Sequence, residues 1–376
     1  MRIACLLILN AGLFAASSQD PAVLLGDARL LASPSELPVV PSVTSSVLRA
    51  KAGEWQFNLH SYIAWHQGKF WAIWSAGRVD EDSGQQRIHY ATSADGHHWS
   101  DAAVLVDDPD GPDGPGLWIA RGIFSQNGHL YALAAYNEGP RREKEPHESW
   151  HNLDLVRFEW DGKSWHNLGS YVHDCMNNFP PHPFGSNLVM TCRDSYANMS
   201  TAFASGLDGA HWTVTKLPGE PPADRMSEPS EYLDPQGVAH LIFRDGRGSK
   251  YLFHSLSRDQ GETWTAPVRT NYPDATSKNL TGRLSNGWYY LINNPDQKKR
   301  DPLAISFSRD GWTFWHSMAL RKAAPERRYA GKAKGSGSFQ YPHGIEHGGS
   351  LWVIYSTNKE DIEISEFKLS DFHVDN

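Results

Sequence analysis

The octapeptide Ser257-Arg258-Asp259-Gln260-Gly261-Glu262-Thr263-Trp264 decides how this chain is read. In such a stretch the Asp accepts backbone hydrogen bonds inside a tight turn, the Gly tolerates positive φ, and the Trp packs between neighbouring sheets. Shorter versions recur at Asp95-Gly96-His97-His98-Trp99, Asp161-Gly162-Lys163-Ser164-Trp165, Asp208-Gly209-Ala210-His211-Trp212 and Asp310-Gly311-Trp312-Thr313-Phe314. Their aromatics stand 66, 47, 52 and 50 residues apart in chain order. A second repeat is a Gly opening an apolar run, at Gly68, Gly128, Gly185, Gly237, Gly287 and Gly349, spaced by 60, 57, 52, 50 and 62 residues. The turns are expected to be structural and remote from chemistry.

Short runs rich in Val, Ile, Tyr, Phe and Trp, bounded by Gly, Asp, Asn and Ser, carry almost no helical periodicity between these markers. A period of roughly 50 to 60 residues in such a chain predicts an all-β fold, a six-bladed β-propeller with one four-stranded blade per hairpin glycine. The last blade has no Asp turn of its own, which predicts a ring closed by an N-terminal strand within Ala28 to Val43. Residues 19–376 are then expected to be one domain.

Composition narrows the function. The 376 residues include 44 aromatics, and 43 acidic against 35 basic side chains leave a net charge of −8. No long Lys/Arg block accompanies that charge, so nucleic acid is not an expected partner. Residues 1–18 read as a signal peptide: Arg2, an apolar run from Ile3 to Phe14, then Ala15-Ala16-Ser17-Ser18. That run is too short for comfortable membrane insertion, and a secreted or periplasmic protein is expected. Beyond the leader only Cys175 and Cys192 remain, as one bridge or two free thiols.

In a propeller, chemistry belongs where inner strands begin and second strands end. The first class holds His60, Arg121, Glu228 with Glu231 close by, Lys278, Asn279, Tyr341 and His343; the second holds Arg78, Asp82, Arg193, Arg244 and Lys359. A ring so dense in Arg, Glu, His and Tyr suits an acidic sugar despite the negative net charge. The octapeptide at 257–264 matches in full the Asp-box, Ser-x-Asp-x-Gly-x-Thr-Trp, and the chain resembles the sialidase (neuraminidase) superfamily of Asp-box (BNR) repeat propellers.

The resemblance implies an exo-acting, retaining glycosidase that cleaves a terminal acidic sugar from a glycan or oligosaccharide. It implies Tyr341 as nucleophile, Glu228 as its base, Asp82 as general acid, and Arg244 and Arg300 as grips on the substrate carboxylate. A neutral phenol repels an anionic sugar less than a carboxylate would, and sialidases depart from the two-carboxylate pattern in this way. The chain differs from the family at the start of blade one, where Asn58-Leu59-His60-Ser61 replaces an Arg-Ile-Pro segment. An imidazole cannot reproduce a planar guanidinium fork, so Arg78 or Arg121 is the expected substitute, and His60 a candidate for proton transfer. Lys278, Asn279 and His343 are expected to bind substrate.

No metal and no cofactor is expected, because no zinc-helix spacing occurs and the acidic run Asp107 to Gly114 lacks the twelfth-position Glu of a Ca²⁺ loop. Two other outcomes are open. One is a polysaccharide lyase or rhamnosidase-like enzyme acting at uronic acids; the other is a propeller that binds glycans without cleaving them.

Overall fold

The computed structural model describes residues 22–81, 85–139, 148–219, 226–330 and 337–374; the leader read at 1–18 lies outside them. Within these residues β1 is Val43–Leu48 and blade 1 follows as β2–β5 (Phe57–His66, Lys69–Gly77, Arg87–Ser93, Ala103–Val106). Blade 2 is β6–β9 (Leu117–Gln126, His129–Asn137, Asp154–Trp160, Trp165–His173) and blade 3 is β10–β13 (His182–Phe184, Asn187–Arg193, Met199–Ser205, Thr213–Lys216). Blade 4 is β14–β17 (Met226–Leu233, Ala239–Asp245, Tyr251–Ser257, Val268–Pro273) and blade 5 is β18–β21 (Leu280–Arg283, Tyr289–Asn293, Leu303–Ser308, His316–Arg321). Blade 6 combines β22–β24 (Phe339–His347, Ser350–Thr357, Asp361–Lys368) with β1. Each blade is a four-stranded antiparallel sheet, and the ring is the expected six-bladed propeller.

Closure is by β1, which pairs with β24 from Val43 opposite Glu366 to Leu48 opposite Ile362. The closing strand therefore starts where the sequence reading had it end. Pro34, Pro38 and Pro41 deny residues 28–42 the donors of a ladder, and the segment instead forms two short 3₁₀ turns, Ala28–Leu31 and Pro34–Glu36. Residues 22–39 brace the outer edges of blades 4 and 5, with isolated bridges from Ala22 to Thr270, Leu25 to Phe314 and Val39 to Ala319. Blade 6 lacks an Asp turn because its third-to-fourth strand connection is where the chain's two ends meet.

The first strands surround the axis, and the chain alternates direction within every blade. Strand starts and second-strand ends therefore share one face, while the Asp turns lie on the other. Those turns rivet blade to blade. Asp259 accepts from Thr263 N and from its hydroxyl, while Trp264 Nε1 donates to Gly261 O at 3.0 Å. Trp312 Nε1 reaches across to Asp234 Oδ2 in blade 4 at 2.7 Å. Among the described residues no helix is long and apolar enough to cross a membrane.

Gly261 has φ +96°, and a Cβ there would stand 2.4 Å from Val189 Cγ2 in blade 3, whereas Gly128, at φ +84°, has open space around it. Gly261→Ala should cost about 3 kcal/mol by combining left-handed strain with an overpacked blade contact, and Gly128→Ala about 1 kcal/mol from strain alone. Urea unfolding midpoints measure both; equal losses would contradict the rivet.

Candidate active site

Four of the six inner strands break register at the funnel mouth. The interruptions lie between Leu59 and Tyr62 in β2, Ala120 and Gly122 in β6, Ser227 and Ser230 in β14, and Gln340 and His343 in β22. Each bulge re-aims one side chain: His60, Arg121, Glu228 and Tyr341. Three of these carry left-handed backbone, with φ of 54° at His60, 49° at Glu228 and 59° at Tyr341. Non-glycine residues held there cost about 1–3 kcal/mol each and gather at functional sites.

The four residues line one cavity of about 240 Å³ together with Glu81, Ile119, Trp150, Met176, Arg193, Arg244, Arg300 and Lys359. Arg244 stands at its chemical centre. Its Nη1 lies 2.8 Å from Glu228 Oε2 and donates to the Tyr341 hydroxyl at 3.1 Å, while its Nε donates to Ser227 Oγ at 2.9 Å. Tyr341 and Glu228, from blades 6 and 4, are thus joined by one guanidinium. Arg300 is anchored on the Gln340 side-chain oxygen and, at 2.7 Å, on Thr276 O. Its guanidinium stands 5.7 Å from the Tyr341 ring centroid.

Burial alone would raise the Glu228 carboxyl, but Arg244, Arg193, Arg121 and Lys278 outweigh it and hold the group at about 2. Burial raises the Tyr341 phenol to about 12 even with Arg244 beside it. The resting pair is therefore a carboxylate and a neutral phenol. Arg193 is brought down to about 10 by burial, with Arg121 and Arg244 repelling it and Glu228 opposing. His60 is pushed well below its usual range by burial and then by Arg121, Lys278, Lys359 and Arg193. Its Nδ1 meets Ser75 Oγ at 3.2 Å, its Nε2 lies 3.7 Å from Glu81 Oε1, and its ring packs edge-on against Tyr341 at 5.2 Å.

Several expected binding residues are not in the cavity. Arg78 stacks on Trp55, its guanidinium 4.1 Å from the ring centroid, so Arg121 alone of the two expected substitutes faces the site. Lys278 is fully buried in the channel below, where its Nζ donates to the Tyr62 hydroxyl at 2.9 Å and to Asn178 O at 3.2 Å. Asn279 donates to Ile242 O at 3.1 Å, and His343 Nδ1 accepts from Ile63 N at 3.2 Å. These three hold blades together. Strand β18 runs without a bulge, so Lys278 and Asn279, just before it, stay packed beneath the funnel. Glu231 is likewise buried under the site, 3.6 Å from His182 Nδ1, which leaves Glu228 as the cavity carboxylate of blade 4. Asp82 lies outside the described residues; its neighbour Glu81 lines the cavity and pairs with Lys359.

Arg193 went unassigned in the sequence, yet Cys192-Arg193-Asp194 in blade 3 repeats Phe243-Arg244-Asp245 in blade 4 at the same second-strand end. Both Asp side chains accept from the loop that follows, Asp194 from Tyr196 N and Asp245 from Arg247 N. The two half-cystines are bridged, with Cα atoms 5.1 Å apart. Met176 and Arg193, each one residue beyond a cysteine, exchange backbone hydrogen bonds of 2.8 and 3.0 Å and so enter the cavity wall as a unit. Ligand-type atoms of Asp113, Glu138 and His151 lie within 4.8 Å of one another, outside the cavity lining. This is the one group among the described residues that could hold a cation, and Asp113 comes from the acidic run Asp107 to Gly114, where no metal was expected. His151 Nδ1 also meets Glu148 Oε1 at 3.0 Å, a contact that secures the loop bearing Trp150.

The fold is that of a sialidase-like propeller. The chain matches the model of the BNR repeat-like domain over residues 68–353, and it belongs to that family. A search of curated proteins finds no match. Among solved structures the fold is similar to that of a sialidase, at 21% identity and TM-score 0.64, over 89% of this chain and 33% of that one. It is similar to a Hadza microbial sialidase at 17% identity and TM-score 0.66, over 88% of this chain and 69% of the other. It is also similar to Trypanosoma rangeli sialidase in complex with sialic acid, at 14% identity and TM-score 0.63, over 89% and 60%. The chain spans about a third of the length of the first of these.

The buried imidazoles give the structure a pH signature. Burial holds His240 at about 4 and His254 at about 3, and pushes His60 and His343 well below their usual range. In the unfolded chain these groups titrate near 6.5, so that state binds more protons in between. Their stabilisation is complete above pH 6.5 and is lost as pH falls toward the folded values, by about 1.4 kcal/mol per group per pH unit. Glu228 adds a loss in the same direction between its unfolded value of 4.5 and about 2, while buried Asp274, raised to about 6, and Glu231, raised well above its usual range, act the other way and offset only part of the histidine effect. Urea unfolding at pH 5.0 should show a clearly lower midpoint than at pH 7.5; equal midpoints would contradict the neutral, buried state of these histidines.

Proposed function

We propose that this protein is an exo-acting, retaining glycoside hydrolase that removes a terminal acidic sugar, with Tyr341 as nucleophile and Glu228 as its base. The observation that carries the reading is the shared Arg244 contact, which brings a neutral phenol and an ionised carboxylate together in a cavity the size of one sugar. The Tyr341 oxygen attacks the anomeric carbon as the glycosidic C–O bond breaks. The phenolic proton passes to Glu228, and the leaving oxygen takes a proton from a carboxyl on the 81–82 segment. Water then attacks the same carbon, delivers its proton to that carboxylate, and displaces Tyr341, which recovers its proton from Glu228.

Glu228 is a weak base at rest, so the phenol stays protonated and does not repel an incoming anion. A substrate carboxylate at Arg300 and Arg244 would offset the cations that depress Glu228 and raise its basicity as the phenol oxygen becomes acidic in the transition state. A location outside the cytoplasm belongs to the same proposal, and the Cys175–Cys192 bridge supports it, since such bridges persist in oxidising compartments.

The second reading, a lyase acting at uronic acids, is favoured by one feature: neutral His60 beside Tyr341, where the resemblance would put an arginine. Release of fluorophore from an α-linked sialoside, run beside ultraviolet absorbance on uronate-containing glycans, separates the two. Tyr341→Phe and Glu228→Gln should each lower kcat by about 10³-fold or more while the protein stays folded. An absorbing unsaturated product, or undiminished fluorophore release by Tyr341→Phe, would contradict the hydrolase reading.

A further inference from the structure

The charges lining the cavity do not balance. Arg121, Arg193, Arg244, Arg300 and Lys359 face only Glu81 and Glu228. Lys359 is paired with Glu81, and Arg244 with Glu228. Among the described residues no carboxylate lies in ion-pair contact with Arg121 or Arg300, which belong to blades 2 and 5, opposite one another in a six-membered ring.

Arg121 is only 2% exposed, and its buried Nε and Nη1 make no hydrogen bond of ordinary geometry, although the Tyr62 hydroxyl lies close enough to feel the guanidinium. Its Nη2 reaches Met176 Sδ at 2.7 Å. Arg193 Nη2 approaches the same sulfur at 3.6 Å, and its guanidinium stands 4.9 Å from the Trp150 ring centroid. Its carboxylate contact, Glu228 Oε1, is at 4.0 Å, the outer limit of an ion pair. Two guanidiniums thus converge on one thioether at the cavity wall, held there by the disulfide between the Cys175 loop and strand β11. Buried like charges repel, and buried unsatisfied donors are costly, unless an anion lies between them. A planar fork with free N–H groups is suited to bind an oxyanion.

We propose that Arg121 and Arg193 form a second anion subsite, so that the preferred sugar carries two acidic groups: one toward Arg244 and Arg300, and an oxyanion, as a sulfate ester or a second carboxylate, toward blades 2 and 3. The identity of the sugar rests on the glycosidase reading; the subsite itself does not. Both pairs of guanidiniums face one cavity of about 240 Å³, which favours placing the two charges on one sugar unit. The arrangement also gives the blade-2 and blade-3 wall a specificity role, since a sugar with one charge would leave Arg121 unpaired.

Calorimetric titration of the full protein with sodium sulfate and with sodium acetate, at constant ionic strength, tests the subsite directly. Wild type should bind one of the two anions at least tenfold more tightly than Arg121→Gln or Arg193→Gln, while Arg300→Gln retains that site. The preferred anion identifies the group as sulfate ester or carboxylate. Arg121→Lys, which keeps the charge but not the fork, should bind with intermediate affinity and guards against misfolding of the Gln variants. Wild-type affinity for both anions in Arg121→Gln and Arg193→Gln would overturn the proposal. A second arm compares an α-linked fluorogenic sialoside with its sulfated counterpart. If sulfate is the preferred anion, the kcat/KM ratio of sulfated to unsulfated substrate should fall at least tenfold in Arg121→Gln, and an unchanged ratio would overturn the role in specificity. Anion binding that depends on Arg121, with no cleavage of either glycoside, would remove the glycosidase reading and support the subsite alone.

Discussion

One guanidinium organises the site. Arg244 extends from the end of a blade-4 strand to touch Glu228 in its own blade and the Tyr341 hydroxyl in blade 6. That contact exists only if the ring is closed, because blades 4 and 6 are separated by blade 5 and meet only across the axis. The pairing of β1 with β24, the Asp-turn rivets and the N-terminal brace therefore all bear on whether three side chains share a few ångströms. Its charge also decides which partner carries the proton at rest, by holding Glu228 ionised against the pull of burial.

Strain is the counterpart of that order. An unbroken inner strand would send its side chains alternately into the two flanking blade interfaces, and the bulges turn His60, Arg121, Glu228 and Tyr341 into the funnel instead. The penalty of three left-handed residues is offset by packing of the blades on either side, where Tyr62, Phe179 and Tyr355 are fully buried. Blades 3 and 5 have straight inner strands and contribute from second-strand ends or the loops beyond, through Arg193 and Arg300.

That division explains what could be read from the sequence. Six glycines at near-constant spacing and five Asp turns need only local chemistry to be recognised, so blade number and the structural role of the turns were legible. That Tyr341, Glu228, Arg244, Arg300, Arg121 and His60 would gather at one cavity was legible because their chain positions map onto the face where strands begin or return. Lys278, Asn279 and His343 occupy similar chain positions and fell on the wrong side of the cavity floor, since a bulge is a matter of register with a partner strand and has no short sequence signal here. The closing strand was displaced for a related reason: three prolines in 28–42 exclude a ladder, and β1 begins just after the last of them.

The central claim is that Tyr341 becomes covalently bonded to the sugar. Incubation of the protein with 2,3-difluorosialic acid, followed by peptide mass spectrometry, tests it most directly. The account predicts one sugar adduct per chain, located on the peptide containing Tyr341 and absent in Tyr341→Phe. An adduct on a carboxylate side chain, or sialoside turnover with no adduct on Tyr341, would contradict it.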